Sequence, residues 1–231
     1  MAESLTNLRT RALRRADREN DPHIGTTGSP SEATTLVNEG YQALWELILS
    51  VDEHYFDALY TFTVAAGAST KALSDIVAAG VHRLYDVQRL EGTLYGPPLP
   101  VLPEGERGMA SELSYYVFGQ TLVLEPASLA PGSYQAKATP MITNLSNDND
   151  TIHAAIPTGW DRFIVNHAAM EMIGKSDDED GRIRDLRKDQ DALTAIITNS
   201  AARRISGQKR VGDVRQARHF RNVTKTGHFI G

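Results

Sequence analysis

The stretch Ala58–Gly67, ALYTFTVAAG, is where the chain changes its repeat. Tyr60, Phe62 and Val64 alternate with Thr61 and Thr63, the two-residue period of a half-buried strand. Just upstream the period is helical: Leu36, Val37, Gly40, Tyr41, Leu44, Trp45, Ile48 and Val51 form one broad apolar stripe. Ser29 as N-cap, Pro30 at the first helical position and Glu32 as capping-box carboxylate predict where that helix starts, and it runs to about Ser50. Trp45 and Tyr41 read as core on this stripe.

Downstream of Gly67 the strand signals recur. VHRLYDVQRL from Val81 reads as a strand, SYYVFGQTLVLEP as two short strands around Gly119-Gln120, and GSYQAKATP places Tyr134, Ala136 and Ala138 on one face. STKALSDIVAAG reads as a short helix. Residues 92–108, with Pro97, Pro98, Pro100 and Pro103, read as an exposed loop. A small antiparallel sheet of four strands is the expectation.

Helical spacing returns on both sides of this region. Leu5, Leu8, Ala12 and Leu13 predict a helix over 4–18 whose remaining surface carries Arg9, Arg11, Arg14, Arg15 and Arg18. Those arginines are either a solvated face or a contact for an acidic partner or nucleic acid. Thr158 caps a further helix with Trp160, Phe163, Ile164, Ala168 and Met172 buried and Gly174 at its end. The SDDED acids then open a last helix, in which Ile183, Leu186, Gln190, Leu193 and Ile197 step by three and four. That helix fades around Ile205–Gly207, and the rest reads as extended. The fold class is therefore α+β: mainly an α-helical bundle over 1–202 with a small antiparallel β-sheet inserted at about 56–140, followed by an extended basic C-terminal arm, 203–231.

Composition narrows the function. The 231 residues suffice for one domain with appendages or two small ones, and 41% hydrophobic with 23% charged residues is ordinary for a globular protein. With Cys 0 there is no disulfide framework, thiolate nucleophile or Cys-based zinc site. No stretch approaches the roughly 18 apolar residues of a membrane span. The first twenty residues alternate Leu and Arg, which is not the apolar core of a secretory signal.

Phosphate-cradling, dinucleotide-binding and hydrolase-elbow motifs are absent from the sequence. The seven histidines, His23, His54, His82, His153, His167, His219 and His228, are scattered without the i, i+4 pairing of a helical metal site, and His167 reads as structural. The acid clusters Asp52-Glu53 and Asp177–Asp180 sit in polar contexts, whereas a general acid needs a desolvated carboxyl. No enzyme activity and no cofactor is expected.

Charge carries more information. From Arg203 to Gly231 eight Lys and Arg face one acid, Asp213, giving +7; with a total of −5, the first 202 residues carry −12. Basic residues there interleave with His219, Phe220 and Phe229. Such an arm could neutralise phosphates while aromatics stack on bases, or thread into an acidic groove of a partner protein with Phe220 and Phe229 as anchors.

The succession VNEGYQALWELIL, YFDALYTFTVAAG, QTLVLEPASLAPGSYQAKATP, IPTGWDRFIVNHAAMEMIGKSDDED and a closing VGDVR resembles the head–tail adaptor (head completion, or connector) proteins of tailed bacteriophages, over roughly residues 5–215. The resemblance implies a virion protein of the neck, made in the host cytoplasm, and a ring, usually dodecameric, under the portal protein. The tail or the next neck protein would dock on the opposite face, genomic DNA would pass through the lumen without specific binding, and no membrane would be involved. It also implies that the C-terminal segment docks on the portal, which makes Arg203, Arg204, Lys209, Arg210, Arg215, Arg218, Phe220, Arg221 and Phe229 the portal-binding residues. The alternative is a DNA-binding accessory protein using the basic arm. A wall-degrading hydrolase is a weaker rival, since no catalytic pair transfers.

Overall fold

The computed structural model describes residues 3–19, 24, 31–174 and 181–225, the last stretch with side chains to residue 203. The chain divides into two compact units, residues 1–55 with 144–231, and residues 56–143.

The first unit is helical. In α1 (Leu5–Ala16), Ser4 caps the start through its Oγ, and Asp17 ends it in the left-handed region at φ 57°. Its entrance is pinned by backbone bonds to a later loop: Leu5 N–H donates to Asp150 O, and Ile152 N–H to Glu3 O. In α2 (Glu32–Val51) the N-cap is Ser31, whose Oγ accepts from Thr34 N–H. The sequence signal placed the cap two residues early; Ser29 and Pro30 lie outside the described residues.

The third helix of this unit, α4 (Asp161–Gly174; the short α3 belongs to the second unit), packs on both α1 and α2, and α5 (Gly181–Lys225) packs on α4 and α2. Thr158 is not the cap of α4. Asp161 opens the helix and turns its carboxylate back to accept from Gly159 N–H at 2.8 Å. Leu8, Leu44, Ile48, Ile164, Met172 and Ile197 are among the side chains fully enclosed in this unit.

The long helix departs from expectation. Its backbone stays helical through the basic segment to Lys225, where an extended arm was read from residue 203. Arg, Lys, Gln and Ala, all good helix formers, dominate 201–221, and no proline interrupts them. Gly207 and Gly212 weaken the helix without ending it. The missing apolar stripe hid it, because apolar periodicity reports a buried face and not helicity itself.

The second unit is a two-sheet β structure, with β1 (Ala58–Val64), β2 (Thr70–Ala72), β3 (Val81–Glu91), β4 (Leu94–Pro98), β5 (Ser114–Phe118), β6 (Thr121–Glu125) and β7 (Gly132–Pro140). A single turn of helix, α3 (Leu73–Ile76), follows β2. One antiparallel sheet has the order β1-β7-β3-β4, the other β2-β6-β5. Phe62, Val64, Val87, Tyr134, Ala136 and Ala138 from the first sheet close over Tyr115, Leu122 and Leu124 from the second. Phe62 and Tyr134 stack at 5.3 Å between centroids, as expected for offset aromatic pairs.

The expected four-stranded sheet is thus corrected to seven strands in two sheets, and strand content reaches 26% against 41% helix. The fold is α+β, but the β part is a unit with its own core. Two strands were misread. β2 occupies the start of what read as a helix, and β4 lies inside the proline-rich segment read as loop.

Candidate assembly surfaces

The arginines of α1 point to neighbours in their own unit. Arg9 pairs with Asp148 at 3.1 Å, Arg11 with Asp161 at 2.5 Å and Glu3 at 3.0 Å, Arg14 with Glu19, and Arg15 with Asp189. Asp189 on α5 also receives Arg162 of α4 at 2.8 Å, so one carboxylate ties three helices. Arg182 at the start of α5 reaches Asp17 at the end of α1. The reading of this face as an acidic-partner or nucleic-acid contact gives way to an intramolecular clamp. Each pair is partly exposed, so each contributes at most about 1 kcal/mol. Their joint effect is to fix the first turns of α5 against α1 and α4.

The α5 side chains that the structure describes divide by face. Leu186, Ile197 and Ala201 are buried, while the opposite face is solvent-exposed, Ile196 included. This is the 3–4 stepping read from sequence, with Gln190 in the seam donating through Nε2 to Phe163 O. Of the portal-binding candidates, Arg203 is the last with a described side chain, and it is exposed. Arg204, Lys209, Arg210, Arg215, Arg218, Phe220 and Arg221 lie on the helical backbone of α5 with side chains outside the described residues, and Phe229 lies wholly outside them.

A cavity of about 260 Å³ in the helical unit is lined by Glu3, Arg11, Ile152, Ile156, Thr158 and Asp161. Its two carboxylates, Glu3 and Asp161, both pair with the Arg11 guanidinium. Asp52 is buried at the end of α2, where Oδ1 accepts from His54 N–H. The cluster Asp177–Asp180 lies outside the described residues. Among the described residues, no group of three or more His, Asp or Glu is arranged to hold a metal ion, and no helix is long and apolar enough to cross a membrane.

His153 is packed edge-on against Trp45 at 5.5 Å, and its backbone N–H donates to Tyr41 OH. Its Nδ1 accepts from Ala155 N–H, and burial holds its pKa below the usual histidine value. This role was not legible in the sequence, since nothing local pairs residue 153 with residue 45.

What the arrangement offers is surface: a helix of 45 residues fixed at one end by ion pairs, and a β unit with exposed Leu59, Leu94, Met109 and Phe118. A family model described as SU10 adaptor protein matches residues 4–218, from the cap of α1 into the basic part of α5. The chain belongs to the SU10 adaptor protein family. As an adaptor of a tailed phage it is a structural component of the virion and acts by contact with other head and tail proteins. No curated protein matches the chain. The residues matched to the SU10 adaptor model run through both units and into α5.

Proposed function

We propose that this adaptor is a ring subunit, dodecameric, that sits under the portal protein, connects the capsid to the tail and continues the DNA channel. The observation carrying this reading is the family match along 4–218, which runs through both units. The charge distribution supports it: a body at −12 repels phosphate and lets DNA slide, while the +7 segment suits a partner groove. The portal-docking element is the segment 203–231, with Arg203, Arg204, Lys209, Arg210, Arg215, Arg218 and Arg221 as its charged part and Phe220 and Phe229 as its anchors. At roughly 1.5 Å per residue α5 is about 67 Å long, against about 30 Å for α2, the longest helix it packs on.

Sedimentation of the full chain and of a chain ending at Ala202, each alone, with the portal protein and with duplex DNA, tests this. The full chain should join the portal peak in many copies and ignore DNA, and the shortened chain should stay folded but unattached. Portal binding by the shortened chain would remove the docking role from α5. A full chain that ignores the portal but shifts with DNA, reversibly with salt, would make it the DNA-binding accessory protein instead.

A further inference from the structure

A sheet with open ends is a template for another strand, and proteins blunt such edges with prolines, bulges, charges or brevity. Three of the four edges in the β unit are blunted. β4 carries Pro97 and Pro98, and its pairing with β3 shifts register between Gln88 and Leu90. β5 is crossed by the segment before it, where Leu102 N–H donates to Tyr115 O at 2.8 Å and Tyr115 N–H to Pro100 O at 2.9 Å. β2 is only three residues long.

The fourth edge is β1, which the single turn α3 contacts but which carries none of these devices in its own sequence. It is terminal in its sheet, seven residues long and paired with β7 in unbroken register from Ala58↔Ala138 to Val64↔Gly132. Its sequence, ALYTFTV, has no proline, glycine or charge. On its outer face Leu59 is 63% exposed, and Thr61 and Thr63 are exposed as well.

We infer that β1 pairs with β1 of a second copy, antiparallel about a twofold axis at Thr61. Full overlap of the seven residues sets Leu59 against Thr63 of the second copy, Thr61 against Thr61, and Tyr60 against Phe62. Every cross-strand pair is β-branched, aliphatic or aromatic, and none opposes like charges, so the strand is its own complement. No other strand of this unit offers a comparable edge, and this singles out a second β1 as the occupant.

Resting on the ring reading, the pair has a further consequence. In a ring with one polarity no twofold axis relates neighbouring subunits, so the twofold pair must open before the ring closes. Pairing at β1 then restrains premature assembly.

The test exploits a chain without cysteine. In T61C the two thiols of a pair fall within disulfide reach across the axis, and E104C, at an exposed position in a turn of 3-10 helix, controls for random collision. Mild oxidation should convert T61C, and not E104C, to a covalent dimer, and wild-type protein should sediment as a dimer. T61K places a charge of the kind natural edges carry, so the fold is kept. It should weaken the pair by on the order of tenfold at low salt. A monomeric wild type, equal cross-linking of T61C and E104C, or a T61K dimer of unchanged strength would each overturn the pairing. Oxidised T61C should fail to join the portal until reduced. If the oxidised form joins, the restraint is wrong; if the reduced form also fails, the ring reading is at fault and the pairing stands or falls on the first measurements.

Discussion

Gly40 shows how one residue sets a helix crossing. A Cβ there would lie 2.9 Å from Ile164 O and 3.2 Å from His167 Cβ, so α2 and α4 meet where only a hydrogen fits. Gly40→Ala gains up to about 1 kcal/mol in helix propensity. Against a backbone carbonyl, overpacking of about 1–3 kcal/mol outweighs that gain. The variant should therefore unfold at lower urea than wild type, and an unchanged midpoint would mean that α4 shifts freely. Asn166 presents the opposite case. It is 0% exposed, and its Oδ1 and Nδ2 have no hydrogen-bond partner among the described residues. Asn166→Leu should raise stability by about 1 kcal/mol, because it removes desolvated polar atoms at similar volume. Thermal unfolding reads this directly, and a lower midpoint would reveal a bond that Asn166 makes through ordered water. Burial lowers the pKa of His153, so the unfolded chain takes up the proton more readily. Its contribution is complete above the unfolded value of about 6.5 and is lost as pH falls through the lower folded one. Denaturation midpoints should decline over that window, and less steeply in His153→Gln.

Elements were legible in the sequence where one face is buried. The stripe from Leu36 to Ile48 and the alternation Tyr134, Ala136, Ala138 are all buried as read, although the helix starts read at Ser29 and Thr158 lie a few residues further on. β4 was hidden because two prolines argue against a strand, yet an edge strand tolerates them. The second half of α5 was hidden because it lacks a core-facing stripe. Of the assembly surfaces, the basic segment was visible from charge alone, whereas the clamp of Arg15, Arg162 and Asp189 joins positions 174 residues apart and has no sequence signature. At this scale Ser31→Ala should destabilise α2 by about 1 kcal/mol, since Ser31 Oγ accepts from Thr34 N–H and also bonds Thr34 Oγ1. Helicity by circular dichroism and the urea midpoint both report it, and no change in either would mean that Thr34 caps in its place.

For the whole molecule the decisive division is between two units with separate cores. The β unit gathers fourteen buried side chains into one cluster. Residues 56–143 expressed alone should give dispersed amide resonances and a cooperative melt; a molten spectrum would show that the unit needs the rest of the chain. β1 and β7, the first and last strands of this unit, are hydrogen-bonded neighbours, with Ala58 opposite Ala138. The points where the chain enters and leaves are therefore about one strand spacing apart, roughly 5 Å. A unit hung on so narrow a stem is a cassette. Recombination between phage genomes could replace everything from 56 to 143 with another fold of closely spaced termini, and the helices on either side would be rejoined without rethreading. New surfaces could be acquired in this way one exchange at a time.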